Sequence, residues 1–256
     1  MKAPNGAFFL TINNSMTYTE KVSAKIVILY AVALIGVPLW FVYAQPTLGQ
    51  VVLWFVVAAL VSRIANAGYH RWLTHAQFQP TWIGRKIMLW FMVMTAEAPP
   101  GHYVVSHLQH HANTDKEGDP HGPLQIGFKR LFFGQYDEVK PKVGFLRYYS
   151  KQKDAQFVTK HYWRLYLGNM IVLGLISKWL VVWLAFMFAW SWIWFLVINW
   201  GGHGGTKATP TNLNWFCNIF MGGEDYHANH HDKPGQLVMG RWDTTGKFIV
   251  PWLLSK

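Results

Sequence analysis

Hydrophobic and polar positions alternate along this chain in long blocks, not in the short period of a soluble helix or strand. The first apolar block, residues 26–44 (IVILYAVALIGVPLWFVYA), is long enough to cross a hydrocarbon core of about 30 Å at about 1.5 Å per residue. The residues before it are polar and no small-residue cleavage site follows, so it reads as a span and not a removable signal; segment 1–24 reads as a loose N-terminus. A turn rich in helix breakers, 45–50, leads into a second block at about 51–69, whose last turns carry Ser62, Arg63 and Asn66 near the interface. Residues 157–200 are too long for one crossing. Gly174, Ser177 and Lys178 interrupt them, which predicts two helices at about 157–176 and 179–200. The run 87–94 (IMLWFMVM) is too short to span and reads as an interfacial or half-buried segment.

Four crossings place two short turns on one side and both termini with a central loop on the other. Of the 23 Lys and Arg, only Lys178 then falls in a far-side turn, so the positive-inside rule makes the other face cytoplasmic. The pattern predicts one all-α integral membrane domain over 1–256. It has four transmembrane helices and a cytoplasmic helical cap, with no repeat or second domain. A multi-pass protein of a bacterial inner membrane, with its active site and both termini cytoplasmic, is the expected setting.

Composition agrees and narrows the classes. The chain is 52% hydrophobic and only 14% charged, against about 25% charge in a soluble domain. Its mean hydropathy of +0.11 is too low for a chain lying wholly in lipid, so roughly half should form a polar body outside it. The 15 Trp, 17 Phe and 11 Tyr exclude disorder. One cysteine, Cys217, excludes a disulfide framework and any cysteine-based zinc or iron–sulfur site. The net charge of +11 flanks apolar runs, which favours a membrane surface over nucleic acid as partner.

Nine of the 12 histidines fall into groups. His70 and His75 close the second span as HxxxxH. His107, His110 and His111 form HxxHH in the central loop, and His227, His230 and His231 form a second HxxHH after the fourth span. His203 follows that span in NWGGH. On a helix, positions i, i+3 and i+4 share one face. Two facing HxxHH groups therefore converge, and nine nitrogens exceed the ligand set of one metal and fit two. The i, i+5 pair does not share a face of an ideal helix, so the helix is expected to end or distort there. All four groups fall on the cytoplasmic side, which is a further reason not to read 87–94 as a span. His102, His121 and His161 read as interface or capping residues.

This ordered set closely resembles the membrane-bound fatty acyl desaturases of the acyl-CoA (delta-9) type, whose boxes HxxxxH, HxxHH and HxxHH match 70–75, 107–111 and 227–231. The flanking Thr74-His75 with Phe78, Thr114-Asp115, Asp119-Pro120-His121, Gly223-Glu224 and Trp242-Asp243 extend the resemblance over about 26–252. His102-Tyr103, Leu108 and Ala228 stand where the family often has Glu-Trp, a basic residue and Asn. None of these is a ligand position.

The resemblance implies a His-ligated centre of two iron ions (2+/3+), with O2 as co-substrate. The nine box histidines would be metal ligands, and Asn199 matches the position that holds a metal-bound water. Capping the fourth span is Asn199's plainer role. Asp115, Asp119, Glu224 and Asp225 are candidates to orient imidazole N–H groups, or else loop and cap residues. Tyr103 and Trp194 are candidate substrate contacts; Trp192 and Trp200 are further tunnel candidates, and interfacial belt positions are their plainer reading.

Imidazole alone suits iron, copper, zinc and nickel alike. The implied reaction places a cis double bond in a saturated acyl chain carried by CoA, a carrier protein or a lipid. The runner-up is a di-iron hydroxylase or ketolase of alkanes or carotenoids. The chain holds no dinucleotide, haem or cysteine-cluster motif, so a separate ferredoxin, rubredoxin or cytochrome b5-type donor with its reductase is expected. The acyl tunnel is expected to end against Ala31, Ala33 and Gly36 of the first span.

Overall fold

The computed structural model describes residues 24–135, 143–203 and 209–255. The expected loose N-terminus lies outside the described residues, apart from Ala24. The helices are α1 (Ala24–Ala44), α2 (Leu48–Asn66), α3 (Trp82–Thr95), α4 (Pro100–Asn113), α5 (Pro123–Phe132), α6 (Lys153–Ile176), α7 (Lys178–Leu196), α8 (Trp215–Met221) and α9 (His227–Asp232). Helices α2 and α7 run on as π-helical turns, Ala67–Thr74 and Val197–Gly201, and a third π-helical segment, Thr245–Leu254, lies near the C-terminus. Among the described residues there is no strand, only an isolated bridge between Pro80 and Ser255.

Both hairpin turns are set by local chemistry. Thr47 caps α2 in a reciprocal box with Gln50, and Gln45 takes the left-handed conformation (φ 45°) that reverses the chain. Ser177 caps α7 through Trp179 N–H, where the sequence predicts the break. Three helices are long and apolar enough to cross a bilayer: Ala24–Ala44, Leu48–Thr74 and Lys178–Gly201. The fourth expected span differs, because α6 starts at Lys153 and carries Lys160 and Arg164, leaving its apolar run to the half from Leu165 onward. That half presents Leu167, Ile171, Val172, Leu175 and Ile176 outward, with Leu175 84% exposed.

Helix α7 is the hub, packing on α1, α2, α3 and α6. Short α3 buries Met88, Leu89, Met92 and Val93 and leaves Trp82, Ile83 and Trp90 exposed, so 87–94 is a half-buried helix as the pattern suggests. The Arg85–Asp154 ion pair at 2.7 Å ties α3 to α6. Helices α2 and α7 both end at the same pole of the molecule, where α4 and α9 close over them.

The small residues of α1 have a different role from the expected tunnel end. A Cβ on Gly36 would stand 2.9 Å from Val182 Cγ1, so the glycine admits α7 at close approach. Ala33 is buried and Ala31 exposed. Small residues in an apolar helix serve close packing as readily as they leave space, and here packing uses them.

Candidate metal centre

The two π-helical turns place the first and last histidines. In the turn after α2, His75 N–H donates to His70 C=O at 3.1 Å, an i to i+5 bond. This wider turn brings His70 and His75 within 5.0 Å between ring centroids, although an ideal helix would separate them. The sequence anticipates this distortion. The turn after α7 likewise delivers Asn199 and His203.

The nine box histidines converge in two groups. His70, His75, His107, His111 and His230 form one, and His110, His203, His227 and His231 the other; within each, one ligand atom per residue lies within 4.8 Å of every other. Each HxxHH divides between the groups. His107 and His111 of α4 join the first group and His110 the second, while His227 and His231 of α9 join the second and His230 the first. In the first group, Nε2–Nε2 separations are 2.9 Å (His70–His230), 2.8 Å (His230–His111) and 3.1 Å (His111–His107). In the second they are 2.8 Å (His203–His227), 3.2 Å (His227–His231) and 3.4 Å (His231–His110).

The far sides of the rings decide what these nitrogens can do. His70 Nδ1 meets Glu224 at 2.6 Å, His110 Nδ1 meets Asp119 at 2.8 Å, and His203 Nδ1 meets Asp115 at 2.9 Å. A carboxylate fixes the proton on Nδ1, so Nε2 carries a lone pair. Lone pairs facing one another at about 3 Å repel unless a cation sits between them. Ligands about 2.0–2.1 Å from a metal and about 90° apart are themselves about 3 Å apart. His75 Nε2 is buried with no hydrogen-bond partner. The residues present therefore fit two metal ions.

Protonation states agree. Burial, then repulsion by neighbouring imidazoles, holds His107, His110, His227 and His230 well below the usual histidine range. Burial lowers His75 to about 2 and His231 to about 3. Glu224 is lowered to about 2: burial opposes its charge, and Arg71 and His70 outweigh burial.

The remaining predicted residues separate. Asp225 contacts no imidazole; its carboxylate accepts from Asn218 Nδ2 (2.7 Å) and Gly223 N–H (3.1 Å) and so braces the loop before α9. Asn199 is buried, and its amide donates to Phe195 C=O at 2.8 Å. His121, set aside in the sequence, joins His110 and Asp119 in a third cluster and stacks on His110 at 4.5 Å. His161 rests against Phe157, away from both groups.

A cleft of about 750 Å³, counting the part open to solvent, lies against both groups between α2 and α7. Its lining includes His70, His107 and His227 of the two groups, Asn199, Tyr103 and Trp194, and Ser62 with Ser191. The two serine hydroxyls are 3.0 Å apart and join the helices there. No α1 residue lines it, so Ala31, Ala33 and Gly36 are not part of this wall. Trp192 and Trp200 are also off the wall, against Phe132 and Phe128. Glu97, which no sequence motif singles out, lines the cleft, and burial pushes its carboxyl up to about 8.

Comparison with known proteins follows the same residues. The family model described as fatty acid desaturase matches residues 46–237, about three quarters of the chain. The chain belongs to the fatty acid desaturase family. Among curated relatives, an Arabidopsis thaliana protein named delta-9 desaturase-like 2 is 25% identical over 201 residues, covering 69% of this chain and 63% of its own length. The sn-2 palmitoyl-lipid 9-desaturase of Nostoc sp. (strain 36) is 28% identical over 191 residues, covering 68% and 66%. The sn-1 stearoyl-lipid 9-desaturase of Anabaena variabilis is 26% identical over 179 residues, covering 64% of each. The chain thus spans just under two thirds of the length of most of these relatives.

Proposed function

We propose that this protein is an O2-dependent desaturase that places a cis double bond in a saturated fatty acyl chain, at the ninth position as in its named relatives. One observation carries the reading: nine imidazoles, three of them with Nδ1 held by a carboxylate, converge in two groups beside a cleft that enters the membrane-spanning helices. Two iron ions held there would supply the oxidant that an unactivated methylene requires, which no side chain can. Overall, –CH2–CH2– with O2, two electrons and two protons gives –CH=CH– and two waters.

The chain's own residues do the rest. Glu224, Asp119 and Asp115 hold their imidazoles in one tautomer and one orientation. Tyr103, stacked on His107 at 5.5 Å, and Trp194, stacked on Phe220 at 5.0 Å, flank the acyl chain and keep water from it. The apolar half of α6 lies against α7 and completes a four-crossing bundle, with the histidines on the basic, cytoplasmic side. There Lys116, Lys129, Arg147, Lys151, Arg241 and Lys247 are exposed and suit an acidic one-electron donor, a ferredoxin, rubredoxin or cytochrome b5-type protein.

Lipid profiling of a host expressing the chain tests the reading. New monounsaturated acyl chains, absent with His110→Ala, are expected. An alcohol or ketone in place of the alkene would move the assignment to a hydroxylase or ketolase.

A further inference from the structure

The two histidine groups offer the same ligand chemistry but differ in what stands behind the ligands. Behind the five-histidine group, Glu224 is shared. One oxygen meets His70 Nδ1, and the other accepts Arg71 Nε at 2.7 Å. The Arg71 guanidinium is fully buried. It also donates to both oxygens of Asp243, at 2.9 and 3.1 Å, and to Leu237 C=O at 2.7 Å. Asp243 is fixed in turn by the N–H groups of Met239 (2.8 Å) and Gly246 (2.7 Å). The fit is close, since a Cβ on Gly246 would come within 2.7 Å of Arg71 Nη1.

Behind the four-histidine group no counterpart stands among the described residues. Asp119 meets His110 and otherwise accepts only backbone N–H groups, from Asp115 (3.0 Å) and His121 (3.1 Å). Asp115 meets His203 through one oxygen; its other oxygen is buried without a partner. Among the described residues no cationic Lys or Arg pairs with either carboxylate.

A carboxylate that keeps its full charge makes the imidazole it holds a stronger donor, which favours the higher oxidation state of a bound metal. A carboxylate shared with a buried guanidinium donates less. We propose that Arg71, locked by Asp243, makes the two centres electronically unequal, so that the five-histidine centre accepts the first electron and holds the ferrous ion in the half-reduced protein. The proposal rests on the two-iron reading above. It assigns a positioning and tuning role to Arg71 and Asp243, and Asp243 lies beyond the matched family region.

The test is a redox titration of the full chain loaded with ⁵⁷Fe, using dithionite and ferricyanide with mediators and read by Mössbauer spectroscopy. Two one-electron steps are expected, with one ferrous and one ferric doublet between them. In Arg71→Gln the higher-potential step should move down and the lower stay. Asp243→Asn keeps the shape and one acceptor oxygen but leaves the guanidinium to Glu224, so it should move the higher-potential step up. This variant carries the test if Arg71→Gln does not fold. Asp115→Asn should raise only the lower-potential step, which assigns that step to the four-histidine centre. Coincident steps in the native chain, or an Asp243→Asn variant that shifts neither step or both equally, would overturn the proposal. Fewer than two irons per chain would overturn the two-iron reading and this inference with it.

Discussion

His110 and His111 are neighbours in sequence, yet they point into different histidine groups: His110 Nε2 lies 3.4 Å from His231, and His111 Nε2 lies 2.8 Å from His230. Successive residues on a helix are about 100° apart, so one HxxHH can serve two metals from one helix. Helices α4 and α9 each divide their histidines between the two groups, in opposite senses.

This division makes a stoichiometric prediction. His110→Ala and His111→Ala should each lower iron from two to about one per chain, and the residual iron should differ in its spectrum. Both should abolish product while leaving membrane insertion intact. Asp119→Ala, which removes the carboxylate behind His110 together with its bonds to the Asp115 and His121 N–H groups, should weaken one site by roughly 10–100-fold. His161→Ala should match the native chain. Metal analysis with Mössbauer spectra checks all four; loss of both irons from His111→Ala would mean that the centres do not load independently.

Stability of the metal-free protein should depend on pH in a definite direction. His75 and His231 are lowered to about 2 and 3 in the folded chain, against about 6.5 unfolded. The unfolded chain therefore binds more protons below pH 6.5, and folding weakens as pH falls from there toward the folded values. Each histidine contributes up to about 1.4 kcal/mol per pH unit in that window. Glu97, raised to about 8, works the other way and favours the folded chain as pH falls below 8, but the lowered histidines outnumber it, so denaturation in detergent should show a midpoint that falls between pH 6.5 and 5. A midpoint that rises toward pH 5 would contradict the burial of these rings.

The cleft offers a chain-length test. Ser62 and Ser191 line it and bridge α2 to α7, so Ser191→Leu should narrow it and shift products to shorter chains without moving the double bond. Each methylene excluded costs about 0.8 kcal/mol, roughly fourfold in preference. Gly36→Trp should instead disturb α1–α7 packing and lower stability, with chain length unchanged. Gas chromatography of the products separates the two outcomes.

Glu97 predicts the alkaline limb of the activity profile. Its carboxyl, raised to about 8 by burial, is neutral at pH 7 and ionises above about pH 8 in the wall of the cleft. Product formation by the native chain should fall above about pH 8, whereas Glu97→Gln should stay flat to higher pH. A parallel fall in both would locate the limb in another group.

Topology can be checked by reporters. Fusions at Gly49 and Lys178 should face away from the cytoplasm and one at Arg241 toward it. Fusions at Lys140 and Lys256, which lie outside the described residues, should share the side of Arg241. A reporter at Lys140 on the opposite side from Arg241 would break the four-crossing scheme.

The histidines were legible because each box is contiguous and its spacing is helical geometry written directly into sequence. Their division into five and four was not, since it depends on how α4 and α9 face each other across the site. Arg71 lies inside the first box, where the box spacing singles out only the histidines; its partner Asp243 is 172 residues away, and no local pattern links them. Glu97 carried no motif at all. The fourth span was half legible, because Lys160 and Arg164 reach into the run that the apolar pattern begins at 157. The approach of Val182 to Gly36 was not legible, because spacing along one helix does not say which neighbour fills the gap.

The π-helical turn between His70 and His75 has a consequence for how this segment can change over evolutionary time. Such a turn amounts to one residue more than an α-helix would hold over the same rise. A change of side chain at 72–74 would leave that register in place, whatever it costs in packing. Deleting any one of them would restore the ordinary pitch and swing His75 about the axis, out of reach of His111 and His230. This stretch should accept new letters but not a new length.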